Sequence, residues 1–139
     1  MSLADPDLVT LPSAHGVPEI VARLKALLAQ KGIEVFADID HAAGARAVGL
    51  PLRPTQVLIF GNPKAGTPLM QAQQAVGLDL PLRALAWEDE EGQTWLSYRR
   101  VADLARQHRV TGRDEAVQAL DDGLAVLARA AAAPQGSRG

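Results

Sequence analysis

The chain contains no cysteine, and that absence closes several routes at once. Disulfides, a thiolate nucleophile and thiolate metal sites are all excluded. A cysteine-free chain fits a reducing compartment without requiring one. Aromatic residues are scarce, at 4%. A large excess of charge of either sign is also missing. A formal net charge of −2 gives no general attraction to nucleic acid. No apolar run is long enough to cross a bilayer, so no membrane partner is expected. The start, Met1 to Gly16, has neither a basic flank nor a long apolar core. It reads as no secretory signal, and the cytoplasm is the expected location.

What is present, over 139 residues, suits one domain that can bury a core without staples. Residues Met1 to Asp7 look loose. Leu8 to Pro12 suits a short first strand. Val17, Ile20, Val21, Leu24, Leu27 and Leu28 form the apolar stripe of a helix over Val17 to Lys31. Pro18 fits its first turn, and Gly32 its left-handed end. Ile33 to Ile39 alternates as a strand, with Ile33, Val35, Ala37 and Ile39 on one face and Glu34, Phe36 and Asp38 on the other. One or two helical turns follow around Ala42 to Val48. Thr55 to Phe60 is apolar without alternation at its end and reads as a buried central strand. A helix is expected from Pro68 to Ala75.

Leu80 to Asp89 and Gln93 to Tyr98 flank Glu90-Glu91-Gly92, a hairpin with Gly92 in the left-handed position. That register sets Trp87 opposite Trp95, on a face shared with Arg83 and Leu85. Val101 to Gln107 is helical. Thr111 and Asp114 resemble a capping box opening a last helix that carries Val117, Leu120, Leu124 and Leu127. The residues from Pro134 onward read as a frayed tail. The fold class is therefore α+β: two layers, a mostly antiparallel sheet of about five strands with helices on one face. The core spans 8–110, with a C-terminal helix over 111–133 as an extension.

One helix layer leaves a second sheet face bearing Phe36, Leu85, Trp87 and Trp95. A monomer seldom leaves such a patch in water. Either the last helix folds across it or a second copy docks there about a two-fold axis, and a homodimer is the expected solution.

The segment Ile59 to Met70, IFGNPKAGTPLM, is the most pointed local feature. Gly61 and Gly66 have the spacing of a phosphate loop, but Thr67 follows Gly66 directly and Lys64 sits in mid-loop, so nucleotide hydrolysis lacks its mechanism. A weaker reading is a helix N-terminus beside Lys64 and Thr67 that could hold an anion. The simpler one is a turn at Asn62-Pro63, with Thr67 as helix cap and Pro68 at the first position. Asn62, Lys64, Gly66 and Thr67 are the candidate ligand-binding residues.

This segment, followed by LDLPLRALAWEDEEGQTWLSY and preceded by FADIDHAAGA, resembles the bacterial domain-of-unknown-function 302 family. The resemblance spans about Ser13 to Val110. It is carried by Asp40, His41, Gly61, Asn62, Pro63 and Gly66, then by Thr67, Leu69, Met70, Leu82, Trp87, Trp95 and Tyr98. It implies a compact α/β domain, often a homodimer, with no established reaction. One departure is that Arg99-Arg100 follows the tyrosine where the family often has Asn or Asp and then Pro.

Other chemistry is thinner. His41 follows Asp38 and Asp40 at a strand end, which suits a general base, although a lone histidine with acidic neighbours is more often a surface or capping residue. A metal wants three or four converging ligands, and His15 and His108 are distant in sequence, so neither metal nor cofactor is expected. No Gly-x-Ser-x-Gly elbow supports a hydrolase. Arg99, Arg100, Arg106, Arg109 and Arg113 are diluted by Asp103, Asp114 and Glu115 and read as a solvated surface. His41 meets the Gly61–Thr67 turn only if the two strands run parallel, which their connector disfavours. The reading is thus a non-catalytic homodimer that binds a small anionic or planar ligand. The alternatives are an enzyme using His41 with Asp38 or Asp40, and a purely structural interaction module.

Overall fold

The computed structural model describes residues 7–135, so most of the loose start and frayed tail expected above lie outside the described residues. Five strands form one sheet: β1 (Leu8–Pro12), β2 (Glu34–Asp40), β3 (Thr55–Gly61), β4 (Leu82–Glu88) and β5 (Thr94–Arg99). Their spatial order is β1-β5-β4-β3-β2, and every neighbouring pair is antiparallel. The helices are α1 (Val17–Gln30), α2 (His41–Ala47), α3 (Pro63–Ala72), α4 (Val101–Gln107) and α5 (Asp114–Ala132), with a 3₁₀ turn over Gln74–Asp79.

Local chemistry accounts for the ends of α1. Pro18 occupies the first turn and Glu19 places a carboxylate by the positive helix end. At the other end Gly32 has φ +68°, its N–H bonds the Ala29 carbonyl, and the Ile33 N–H bonds the Leu28 carbonyl. Those two bonds satisfy carbonyls that the helix leaves open, and the left-handed turn between them favours glycine. The hairpin likewise follows its loop. Asp89 N–H bonds the Gln93 carbonyl, Gly92 takes φ +83°, and Trp87 pairs opposite Trp95.

Alternation along β4 and β5 decides where the core lies. Ala84, Ala86, Leu96 and Tyr98 are buried, with Leu58 and Phe60 of β3 beside them. They pack against Ile20, Leu24 and Leu28 of α1, Val101 of α4, and Leu124 and Leu127 of α5. Each such aliphatic side chain contributes on the order of 2 kcal/mol by leaving water. The intervening residues Val57, Ile59, Leu85, Trp87 and Trp95 are only partly buried, because α1, α4 and α5 pack on the other face.

Three expectations are corrected. β2 does not alternate throughout: Val35 pairs with Phe60 but Ala37 pairs with Ile59, so a bulge at Phe36 puts Val35 and Ala37 on opposite faces. The helix expected from Pro68 begins at Pro63, because Asn62 continues the extended strand and its side chain accepts the Lys64 N–H at 3.0 Å. Asn62-Pro63, not Thr67-Pro68, is the cap-and-proline pair, and Pro68 lies inside the helix. The capping box at Thr111 does not form, since Gly112 takes φ +74°, which no helical residue can, and α5 starts at Asp114. The expected C-terminal helix is α5, and it packs into the core. Leu124, Leu127, Ala128, Ala131 and Ala132 belong to the core itself, in the same layer as α1, α3 and α4.

Candidate functional site

A cavity of about 650 Å³ lies where α3 and α5 diverge at one end of the sheet. Its volume is within the usual range for small-molecule sites. One wall is the strand-to-helix turn at Gly61, Asn62 and Gly66. The opposite wall is α5, through Leu120, Gly123, Leu124 and Leu127. Ile33, Phe60, Met70 and Leu80 close the interior. The lining is overwhelmingly apolar. Phe36 and Val126, exposed by 49% and 53%, stand on its rim.

Small residues on two helices create the space. Gly66 lies between Pro63 and Met70 on one face of α3, and Gly123 lies between Leu120 and Leu127 on one face of α5. A Cβ on Gly123 would meet nothing within 4 Å, and one on Gly66 would meet only the Leu80 side chain, at 3.6 Å. Glycine inside a helix costs about 1 kcal/mol relative to alanine. A glycine inside a helix is the sequence signal for this wall, one that apolar periodicity does not register.

The candidate residues of the turn are placed unequally. Asn62, Gly66 and Thr67 line the cavity, whereas Lys64 is exposed and does not. The helix N-terminus is also already occupied. Pro63 has no N–H, the Lys64 N–H goes to Asn62 Oδ1, and those of Ala65 and Gly66 go to the Asn62 carbonyl at 2.9 and 3.0 Å. With its oxygen accepting from Lys64, the Asn62 amide keeps both N–H donors; among the described residues they make no hydrogen bond. Among the described residues, the ionisable groups on the cavity wall are Lys31 and Asp122, opposite in sign and both exposed.

His41 and its acidic neighbours lie at the far end of the sheet. β2 and β3 are antiparallel, with Asp40 opposite Gln56 and Glu34 opposite Gly61. The two regions are therefore separated by roughly 20 Å of strand. His41 is exposed and has no bonded partner among the described residues. Asp40 caps α2, accepting the Ala43 N–H at 2.9 Å. Asp38 pairs with Lys25 and accepts from the Gln56 amide. Burial pushes its carboxyl up, but the Gln56 amide and the Lys25 ammonium outweigh that and hold it below its ordinary value. Among the described residues, no three histidine, aspartate or glutamate side chains converge as metal ligands.

The open sheet face is the third region. Trp87 and Trp95 stack with ring centroids 6.3 Å apart. The Trp87 indole N–H donates to Ser97 Oγ at 2.9 Å, and Ser97 in turn shares a hydrogen bond with Thr10. The Trp95 indole N–H donates to Asp89 Oδ2 at 2.9 Å, while Asp89 Oδ1 accepts from Glu91 and Gln93. Both polar handles are thus satisfied and the ring faces remain for packing. Phe36, expected among these residues, sits instead at the cavity rim, its ring beside Gly61 and Pro81.

Asp89 gives a spectroscopic handle. The Trp95 indole, ahead of the backbone N–H groups, holds its carboxyl below the ordinary value. A depressed carboxylate favours the folded tip at neutral pH and loses that contribution as pH falls through its folded value. Tryptophan emission should therefore show an acid step centred below the ordinary value of an aspartate carboxyl. Asp89→Asn should abolish the step; a step at or above that value in the parent protein would contradict the assignment.

The family model for "Domain of unknown function DUF302" matches residues 9–129, which takes in most of α5. "Fluoride-specific ion channel FluC 1" of Brucella suis is 45% identical over 132 residues, covering 94% of this chain and 52% of that protein. "Fluoride-specific ion channel FluC 2" of Brucella melitensis is also 45% identical, with 94% of this chain and 49% of that protein covered. The chain thus spans about half the length of the curated relatives it matches. Among solved structures, an uncharacterized conserved DUF302 protein from Bacillus stearothermophilus superposes with a TM-score of 0.81. That match covers 90% of this chain and 98% of the other at 20% identity, which establishes the shared fold.

Proposed function

The chain belongs to the DUF302 family, and on that footing we propose that it is a non-catalytic homodimeric domain that takes up a small molecule between α3 and α5. The observation that carries this is the apolar cavity of about 650 Å³ at the Asn62 turn. A domain that needed only to fold would gain by closing that space, since voids forfeit contacts. The enzymatic alternative draws no comparable support. Asp40 is committed to a helix cap, Asp38 to an ion pair, and His41 stands exposed beside them.

The partly buried sheet face favours the dimer. Arg83 and Arg99 lie at one end of the β4–β5 ribbon, the acidic tip Asp89 to Glu91 lies at the other, and Leu85, Trp87 and Trp95 lie between. A two-fold axis through the apolar centre would set the basic end of each copy against the acidic tip of the other.

The relatives' name adds a context. A pore needs spanning helices or a closed barrel. Among the described residues no helix is long and apolar enough to cross a membrane, and the sheet keeps two open edges at β1 and β2. We therefore assign the channel of those relatives to the half that this chain does not match. The matched half would be an appended domain, for which the cysteine-free composition favours the cytoplasm. Native mass spectrometry of the purified chain is the test. A dimer carrying, or taking up, one small molecule per subunit is expected, and an unliganded monomer across micromolar concentrations would refute both parts.

A further inference from the structure

Given that reading of the cavity, its chemistry narrows what enters it. An anion buried among apolar side chains must find unpaired donors or a cation, or its desolvation is not offset. Neither is offered. The first N–H groups of α3 are spent on Asn62, Lys64 is outside the lining, and Lys31 is solvent-exposed, as is Asp122 of opposite sign. The free donors are the two amide N–H groups of Asn62, which suit a carbonyl-type acceptor. Met70 inside and Phe36 at the mouth suit an aromatic body, through sulfur–ring and ring–ring contacts.

We propose that the cavity takes an uncharged, largely apolar aromatic molecule whose carbonyl oxygen accepts from the Asn62 amide. Gly66 and Gly123 hold the space open from opposite walls, although glycine disfavours both helices.

Fluorescence titration with matched probes tests this. Phenylnaphthylamine is neutral, anilinonaphthalene sulfonate adds a fixed negative charge to the same rings, and prodan is a neutral naphthalene with a ketone. Phenylnaphthylamine should bind at least roughly tenfold more tightly than the sulfonate. Gly123→Leu and, separately, Gly66→Leu should abolish binding of both neutral probes while the proteins melt cooperatively. A probe held on the open sheet face would ignore these changes. Asn62→Asp keeps the cap acceptor but removes the amide donors, so it should weaken prodan by roughly tenfold and leave phenylnaphthylamine unchanged.

Equal or tighter binding of the sulfonate would overturn the uncharged class and leave the cavity reading standing. Prodan binding unchanged in Asn62→Asp would overturn the carbonyl contact. Neutral probes bound equally by both folded leucine variants, or by none of the folded proteins, would overturn the cavity reading as well.

Discussion

Arg23→Ala is expected to lower the unfolding free energy by about 3 kcal/mol and the melting midpoint by roughly 10 °C. The reason is the C-terminal end of α5. Arg23 Nε donates to the Ala131 carbonyl at 2.9 Å, and one terminal nitrogen donates to Ala130 at 3.0 Å and Ala133 at 3.3 Å. Those carbonyls have no later turn to bond them, and Ala131 and Ala132 are buried. A guanidinium placed there meets both the orphan acceptors and the negative helix end. His15 reaches the Ala133 carbonyl as well, at 2.6 Å, so the α1 side holds this end at two points. Removing Arg23 leaves acceptors desolvated, which costs more than the net value of the bonds themselves. Arg23→Lys should recover only part of the loss, because one ammonium cannot span three carbonyls from a fixed fork. Thermal and urea unfolding would measure both. A change under about 0.5 kcal/mol in Arg23→Ala would show that α5 is held by its apolar face alone.

Leu85→Glu is expected to weaken the proposed dimer by at least about a hundredfold while leaving each subunit folded. Leu85 lies on the open face, opposite Ser97 on β5 and Val57 on β3, and is only partly buried in a single subunit. A carboxylate there meets water in the monomer but would be forced against apolar residues at a two-fold interface, twice over. The α1-facing core is untouched, since Ala84 and Ala86 point the other way. Light scattering over a concentration series would follow the mass, and far-ultraviolet dichroism the fold. A monomeric parent protein, or an unchanged dimer in Leu85→Glu, would remove this face as the interface. Raised salt should weaken the parent dimer modestly if Arg83 and Arg99 meet the acidic tip across the axis.

Much of this was legible in short stretches. The stripe of α1, its Pro18 and Gly32, and the Glu90-Glu91-Gly92 loop each state their structure within one or two turns of chain. The Trp87–Trp95 pair follows from that loop length, because loop length sets register. Where two local answers were equally good, the sequence could not choose. Asn62-Pro63 and Thr67-Pro68 are both cap-and-proline pairs, and the continuation of β3 through Gly61 settles the first. The bulge at Phe36 is invisible to alternation, since one extra residue resets which face every later side chain takes.

The candidate site divides along the same line. Asn62, Gly66 and Thr67 were found because a strand-to-helix turn is written locally. Their facing wall on α5 was not, because Leu120 and Gly123 lie more than fifty residues further along. Nor could the chain alone separate His41 from that turn. The antiparallel pairing of β2 with β3 did so, by sending their ends in opposite directions.

By itself, then, the sequence determined the elements, the two-layer α+β class and the apolar excess on one sheet face. Each of these follows from periodicity and capping over a few neighbouring residues. Tertiary structure alone decided that α5 joins the helix layer instead of covering that face. It also decided that a space remains between α3 and α5, and that His41 is remote from it. These are outcomes of how distant segments compete to bury area, and no local pattern encodes which of them wins.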